Sequence, residues 1–276
     1  MWVIPMARIA RVIAPGYPHH VTQRGNRRQE TFFSNADYVS YLELLSEWTR
    51  KYGVEIWAYC LMPNHVHLIA VPETEDGLAR AIGEAHRRYT LRINFREGWR
   101  GHLWQERFSS FPMDERYLLA AARYIEMNPV VSGLSAKPED YRWSSACAHM
   151  AGEEDTLVKV SPLLGIAGKW GEVLAYPEES ITGRLRQHEK TGRPLGAGDF
   201  VGRLEERLSR MLHHKQPGRK RKAAINRYTV PTFRHVAPVE SRFGLLLGLL
   251  GRRPGGRAIG RNELRSRTGW KARIVQ

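Results

Sequence analysis

Residues 54–72 read VEIWAYCLMPNHVHLIAVP: two apolar runs rich in β-branched and aromatic residues, interrupted only at Met-Pro-Asn. Such runs predict strands, and so short an interruption joins them as a hairpin. The second run carries two histidines, His65 and His67, with Val66 between them. Alternate side chains of a strand share a face, so both imidazoles project from one side while Val66, Leu68 and Ala70 point to the other. Two imidazoles so placed can hold a metal ion. They can equally be two ordinary histidines on a wet sheet face.

The flanking sequence extends the hairpin into a larger pattern. HHVTQRG (19–25) predicts a strand that ends at Gly-Asn. NADYVSYLELLSEWTRKYG follows, with Tyr38, Tyr41, Leu42, Leu45 and Trp48 at helical spacing, Asn35 as N-cap and Gly53 as the stop. After the hairpin, DGLARAIGEAHRRYTLRINF predicts a second helix and LWQERFSSFPM another strand. DERYLLAAARYIEMNP predicts a third helix, capped by Asp114 and closed at Asn128-Pro129, because a proline disfavours helical geometry in the residue before it. The order strand, helix, strand, strand, helix, strand, helix predicts the α+β class. Its architecture is a ferredoxin-like or RRM-like antiparallel sheet with helices on one face.

Beyond this unit YRWSSACAHM predicts a short packing helix, residues 153–202 are mixed with EESITGRLRQHEK helical, and DFVGRLEERLSRML predicts an amphipathic helix. The expected organisation is a core over 1–150, a helical region over 151–212 and a basic, flexible tail over 213–276. The 276 residues carry a net charge of +15, and its placement is informative. Residues 203–276 hold 19 Lys and Arg against 4 Asp and Glu, so the whole excess lies there. A tail of that kind attracts a polyanion, most commonly nucleic acid. No apolar run is long enough to span a membrane. Two cysteines, Cys60 and Cys147, make no disulfide framework, and a reducing cytoplasm is the expected location.

Two histidines need a third ligand, and the third helix offers candidates. Tyr124 and Asn128 are four residues apart and share a helical face. A tyrosine can serve as a nucleophile, and an asparagine carbonyl can serve a metal. On spacing alone Tyr124 is as readily an amphipathic-helix residue, and Asn128 a C-cap before Pro129.

YCLMPNHVHLIAVP, then ARYIEMNPVVSGL, then YRWSSA resembles the REP-associated tyrosine transposases, a branch of the single-tyrosine HUH transposases that includes the IS200-like group. The resemblance extends over about 7–222, through APGYPHHVTQRGNRRQETFF, LWQERFSSFP and TGRPLGAGDFVGRLE to PGRKRK. It implies that His65 and His67, with Asn128, bind Mg2+ or Mn2+, and that Tyr124 is the catalytic nucleophile. It implies a metal-dependent endonuclease and strand transferase acting on single-stranded DNA at REP-type hairpins, through a 5′-phosphotyrosine, in a chain that is a monomer. Arg24, Arg27 and Arg28 after the first strand, Arg87 and Arg88 on the second helix, and Lys220 and Arg221 in the tail are the candidate DNA contacts. Val131 replaces a basic residue in the pattern, Met6 is a candidate start, and residues from about 226 onward depart from the family. The alternative is a non-catalytic nucleic-acid-binding regulator that stacks bases on an open ferredoxin-like sheet.

Overall fold

A computed structural model of the chain describes residues 9–175 and 181–213, all within the unit Met1–Gly218. Four strands form one antiparallel sheet: β1 (His19–Arg24), β2 (Val54–Met62), β3 (His65–Pro72) and β4 (Ser109–Pro112), in the order β2-β3-β1-β4. This is the ferredoxin-like order that the sequence predicts. The hairpin β2–β3 turns at Pro63-Asn64 and pairs Met62 with His65. A register shift between Ile56 and Ala58 puts an extra residue, Trp57, into β2 and changes which side chains face which side.

α1 (Asn35–Lys51) and α2 (Gly77–Glu97) cover one face. They bury Tyr41, Leu45, Ile82 and Tyr89 against Val21, Tyr59, Leu61, Val66 and Leu68. The buried Asp37 at the start of α1 is paired with Arg96 at the end of α2, which locks the two helices at that corner. The structure adds a second layer on the opposite face. There α3 (Glu115–Val131) lays Leu118, Ala121, Ala122 and Ile125 on Ala58, Cys60, Met62, Ile69 and Phe111. Helices are therefore on both faces, not on one. The stripe at 118, 121, 122 and 125 is apolar enough to need a sheet of its own, and α1 and α2 already fill the first face.

Other expectations shift at element ends. α1 begins at Asn35, so Ser34 and not Asn35 holds the N-cap position. The strand expected over 103–113 shortens to β4; ahead of it Trp104 keeps only an isolated bridge to Gly25, and Leu103 and Trp104 are buried in the aromatic cluster of α1 and α2. α3 does not close at Asn128-Pro129; it runs through Pro129 to Val131. After α3 come α4 (Ala146–Ala151), α5 (Ser161–Ala167), α6 (Trp170–Ala175), α7 (Ile181–Thr191) and α8 (Gly198–Leu208). α6 and α7 join α3 in the second layer through Trp170, Leu174, Ile181 and Leu185. Both cysteines are free, Cys60 buried and Cys147 exposed. Among the described residues no helix is long and apolar enough to cross a membrane.

Candidate active site

The alternation of β3 turns Val66 and Leu68 into the α1–α2 core and leaves His65 and His67 on the α3 side. Their rings lie 4.9 Å apart at 78°. Both imidazoles are held neutral. Burial pushes the His65 pKa down to about 4, helped by the charge of Arg24, its partner across the β1–β3 ladder. Burial drives His67 well below the usual histidine range, with His65, His20 and Arg24 adding to it. At neutral pH each ring offers a lone pair and not a proton.

The hydrogen bonds of Asn64 fix which nitrogen of His65 carries that lone pair. His65 Nδ1 lies 2.6 Å from Asn64 Oδ1, which can only accept, so Nδ1 bears the hydrogen and Nε2 is left as donor atom for a cation. Asn64 Nδ2 in turn donates to the Arg28 carbonyl at 3.1 Å, which sets the orientation of the amide. The loop after β1 clasps the turn further: Gly25 N–H donates to the Asn64 carbonyl and Thr31 N–H to the Pro63 carbonyl, each at 2.8 Å. Gly25 has to be glycine here, since a Cβ would sit 2.3 Å from the Gln29 carbonyl oxygen.

α3 brings the phenol to this pair. The Tyr124 ring stands 5.6 Å from the His67 ring at 89° and 6.2 Å from His20 at 78°. Asn128 follows one turn later. Pro129 has no N–H to give to the Ile125 carbonyl, and the Asn128 side chain answers that loss. Its Nδ2 donates to the Tyr124 carbonyl at 2.8 Å and to Ile125 at 3.4 Å, which explains how the helix passes the proline. With the amide nitrogen committed to the backbone, its oxygen is the atom with cation chemistry. By chemistry alone, two neutral imidazoles and an amide oxygen are donors of the kind that suit Mg2+ or Mn2+.

Three residues that sequence reasoning missed complete the surroundings. Glu126, fully buried on the other side of α3 from Tyr124, accepts from Ser145 Oγ at 2.5 Å, His149 Nδ1 at 2.6 Å and Trp170 Nε1 at 2.7 Å. It ties the tyrosine helix to α4 and α6. His20 and Glu189 sit behind His67. His20 Nε2 is 3.3 Å from His67 Nδ1, and His20 Nδ1 is 3.7 Å from Glu189 Oε1. Burial lowers the His20 pKa to about 3 and raises that of Glu189 to about 7. His20, His67 and Glu189 offer ligand-type atoms within 4.8 Å of one another. A legible signal existed for two of the three: Glu126 is the one acid of α3 beyond its first turn, and Glu189 continues the Ile181, Leu185 stripe four residues on.

The candidate DNA contacts divide. Arg24 is exposed and in register with His65. Arg27 and Arg28 follow in a short 3-10 turn with left-handed φ of 54° and 63°, both exposed. Arg87 and Arg88 lie on α2, across the sheet from His65 and His67. There Arg87 pairs with Glu84 at 2.7 Å, and Arg88 stacks over Trp48 at 4.5 Å. Lys220 and Arg221 lie outside the described residues.

A phenol beside two neutral imidazoles on a four-stranded sheet agrees with what comparison of the sequence shows. Residues 16–128 match the family model described as Transposase IS200 like. Over these residues the chain is similar to the IS200-like transposases. The family consists of tyrosine transposases, enzymes that transfer DNA strands. A Haemophilus influenzae Rd protein that carries the name REP-associated tyrosine transposase is 26% identical over 121 residues, 40% of this chain and 69% of the relative. Among solved structures, a REP-associated tyrosine transposase bound to a REP hairpin superposes with a TM-score of 0.47. It is 22% identical and covers 56% of this chain and 93% of that one. A Deinococcus radiodurans R1 protein described as a transposase gives 0.32 at 20% identity, covering 44% and 96%.

Proposed function

We propose that this chain cleaves and rejoins single-stranded DNA at REP-type hairpins, with Tyr124 as nucleophile and His65, His67 and Asn128 as the holders of Mg2+ or Mn2+. The observation that carries the proposal is the approach of the Tyr124 ring to His67 on one face of the sheet. Phosphoryl transfer asks little of a protein beyond an in-line nucleophile and neutralised charge. The bound cation would supply Lewis-acid neutralisation of the scissile phosphate. Arg24, beside His65, adds a fixed positive charge for the same phosphate.

Tyr124 Oη forms the bond to phosphorus as the bond to the 3′-oxygen breaks. The phenol loses its proton, the leaving oxygen gains one, and a 5′-phosphotyrosine and a free 3′-OH result. A 3′-OH then attacks the phosphotyrosine, rejoins the strand and returns the phenol. Each step exchanges one phosphoester for another, so no outside energy source is needed. The Tyr124 ring reaches His67 within one chain, which supports action as a monomer. Lys220, Arg221 and the rest of the basic tail would add sequence-independent grip through counterion release. The regulator alternative needs an open sheet face for base stacking, and among the described residues both faces are covered.

Incubation of the protein with a REP-type hairpin oligonucleotide and Mn2+ should give a covalent adduct stable on a denaturing gel. Tyr124→Phe should abolish it. An adduct that persists in Tyr124→Phe refutes the assignment.

A further inference from the structure

His65 has an outer partner that sets its tautomer, Asn64, supplied by its own turn. His67 has one too, but it comes from elsewhere in the fold. Its Nδ1 meets Nε2 of His20 on β1 at 3.3 Å. The two rings are nearly coplanar, 12° apart, with centroids 5.4 Å from each other, so they meet edge to edge and not face to face. His20 Nδ1 then looks to Glu189 Oε1 on α7 at 3.7 Å. Both of these last atoms are buried, and neither has a hydrogen-bond partner. A partly buried carboxylate follows Ile181 and Leu185 at the next stripe position of α7, where packing asks for an apolar side chain. Its placement is fixed by Ser109 Oγ on β4, which donates to the Glu189 carbonyl at 2.7 Å.

Resting on the reading of His67 as a cation ligand, we propose that Glu189 and His20 are positioning residues for it. Carboxylate, imidazole and imidazole form a chain that holds the His67 hydrogen on Nδ1 and aims its Nε2 lone pair at the cation. At 3.7 Å Glu189 and His20 are within ion-pair and not hydrogen-bond range; an ionised Glu189 favours the His20 tautomer with its hydrogen on Nδ1, which leaves His20 Nε2 as an acceptor for His67 Nδ1–H. Outer carboxylate and carbonyl partners act on metal-bound histidines in this way, and losing one commonly costs 10- to 100-fold in metal affinity. In this reading both residues act through His67 and not on the phosphate. Glu189 also lies outside the residues matched by the family model, so this chain draws part of its site's support from its C-terminal helices.

The test uses the full chain and Mn2+ alone, titrated calorimetrically at pH 8, where Glu189 is ionised. His20→Phe keeps the ring volume while removing both nitrogens, and Glu189→Leu keeps the packing. Each should weaken Mn2+ binding about tenfold or more. His20→Gln places an amide oxygen near the former Nε2 and should recover part of that loss, which a purely structural role would not. In the metal-free protein, imidazole nitrogen NMR should report His67 protonated at Nδ1, and His20→Phe should let the other tautomer appear. Mn2+ affinities within twofold of the parent for both His20→Phe and Glu189→Leu would overturn the inference. So would a spin-resonance coupling from a His20 nitrogen directly to Mn2+, since His20 would then be a ligand. His65→Ala separates the two levels. If it abolishes Mn2+ binding while the His20 and Glu189 variants do not, only the positioning chain fails. If it too leaves binding unchanged, the cation site itself is wrong.

Discussion

Asn64 shows how much of the site hangs on one amide. It accepts from His65 Nδ1 and donates to the Arg28 carbonyl, so one side chain sets a tautomer and pins the loop that carries Arg27 and Arg28. Asn64→Ala should weaken Mn2+ affinity by about tenfold, whereas Asn64→Asp, which keeps the acceptor, should lose less. Calorimetric titration of the two variants decides it, and equal losses would mean that the loop and not the tautomer matters. The shared face of His65 and His67 was legible at this scale, because strand alternation is a local rule, whereas Tyr124 was singled out by the family resemblance and not by its spacing. His20 was not legible, and Glu189 was so only as the next position of the Ile181, Leu185 stripe, not as its partner. Nothing local marks His20 off from His19, whose ring is spent on the Ala14 N–H and the Tyr17 carbonyl. The pairing of β1 with β3 and the docking of α7 select between them, and both are long-range events.

Among the elements, α3 departs furthest from its sequence signals. A proline at position 129 predicts a stop, and the helix continues because Asn128 lends its amide to the carbonyls of Tyr124 and Ile125. Side-chain geometry decided the matter, and backbone propensity could not foresee it. The same helix is anchored on its far side by Glu126, whose carboxylate takes three hydrogen bonds from Ser145, His149 and Trp170. Glu126→Ala would leave three buried donors without an acceptor at about 1–3 kcal/mol each before relaxation. We therefore expect a loss of roughly 3 kcal/mol or more in urea unfolding, together with a fall in adduct formation as Tyr124 loses its fixed approach to His67. A variant with parent-like stability would show that this network is incidental. The strand expected over 103–113 failed for the converse reason. Leu103 and Trp104 are apolar because they close the aromatic core, and periodicity cannot tell sheet burial from loop burial.

Across the described residues, the sheet is a partition between two cores, and the imidazoles buried on it and under α2 give the fold a characteristic acid response. His19 and His65 have pKa values lowered to about 4, His20 and His86 to about 3, and His67 lies well below its usual value, in each case mainly through burial. In the unfolded chain these rings bind protons near pH 6.5. Between the two values the unfolded state holds more protons, so stability is full above about 6.5 and falls as pH drops toward 4. Glu189 acts in the opposite sense. Its folded pKa of about 7 lies above the unfolded value, so the native state gains a proton over part of the same window. It is one group against five, and the imidazoles decide the sign. Each imidazole can contribute up to about 1.4 kcal/mol per pH unit, and incomplete burial in the fluctuating native state reduces that. Urea unfolding at pH 7.5, 6 and 5 without added metal should therefore show stability lower at pH 5 by on the order of a few kcal/mol. The depressed carboxylates Asp37 and Glu205 begin to titrate only below that range, so they cannot be the cause. Stability that stays flat from pH 7.5 to 5 would mean that the imidazoles take up protons inside the fold. The neutral donor set at His65 and His67 would then be lost with it.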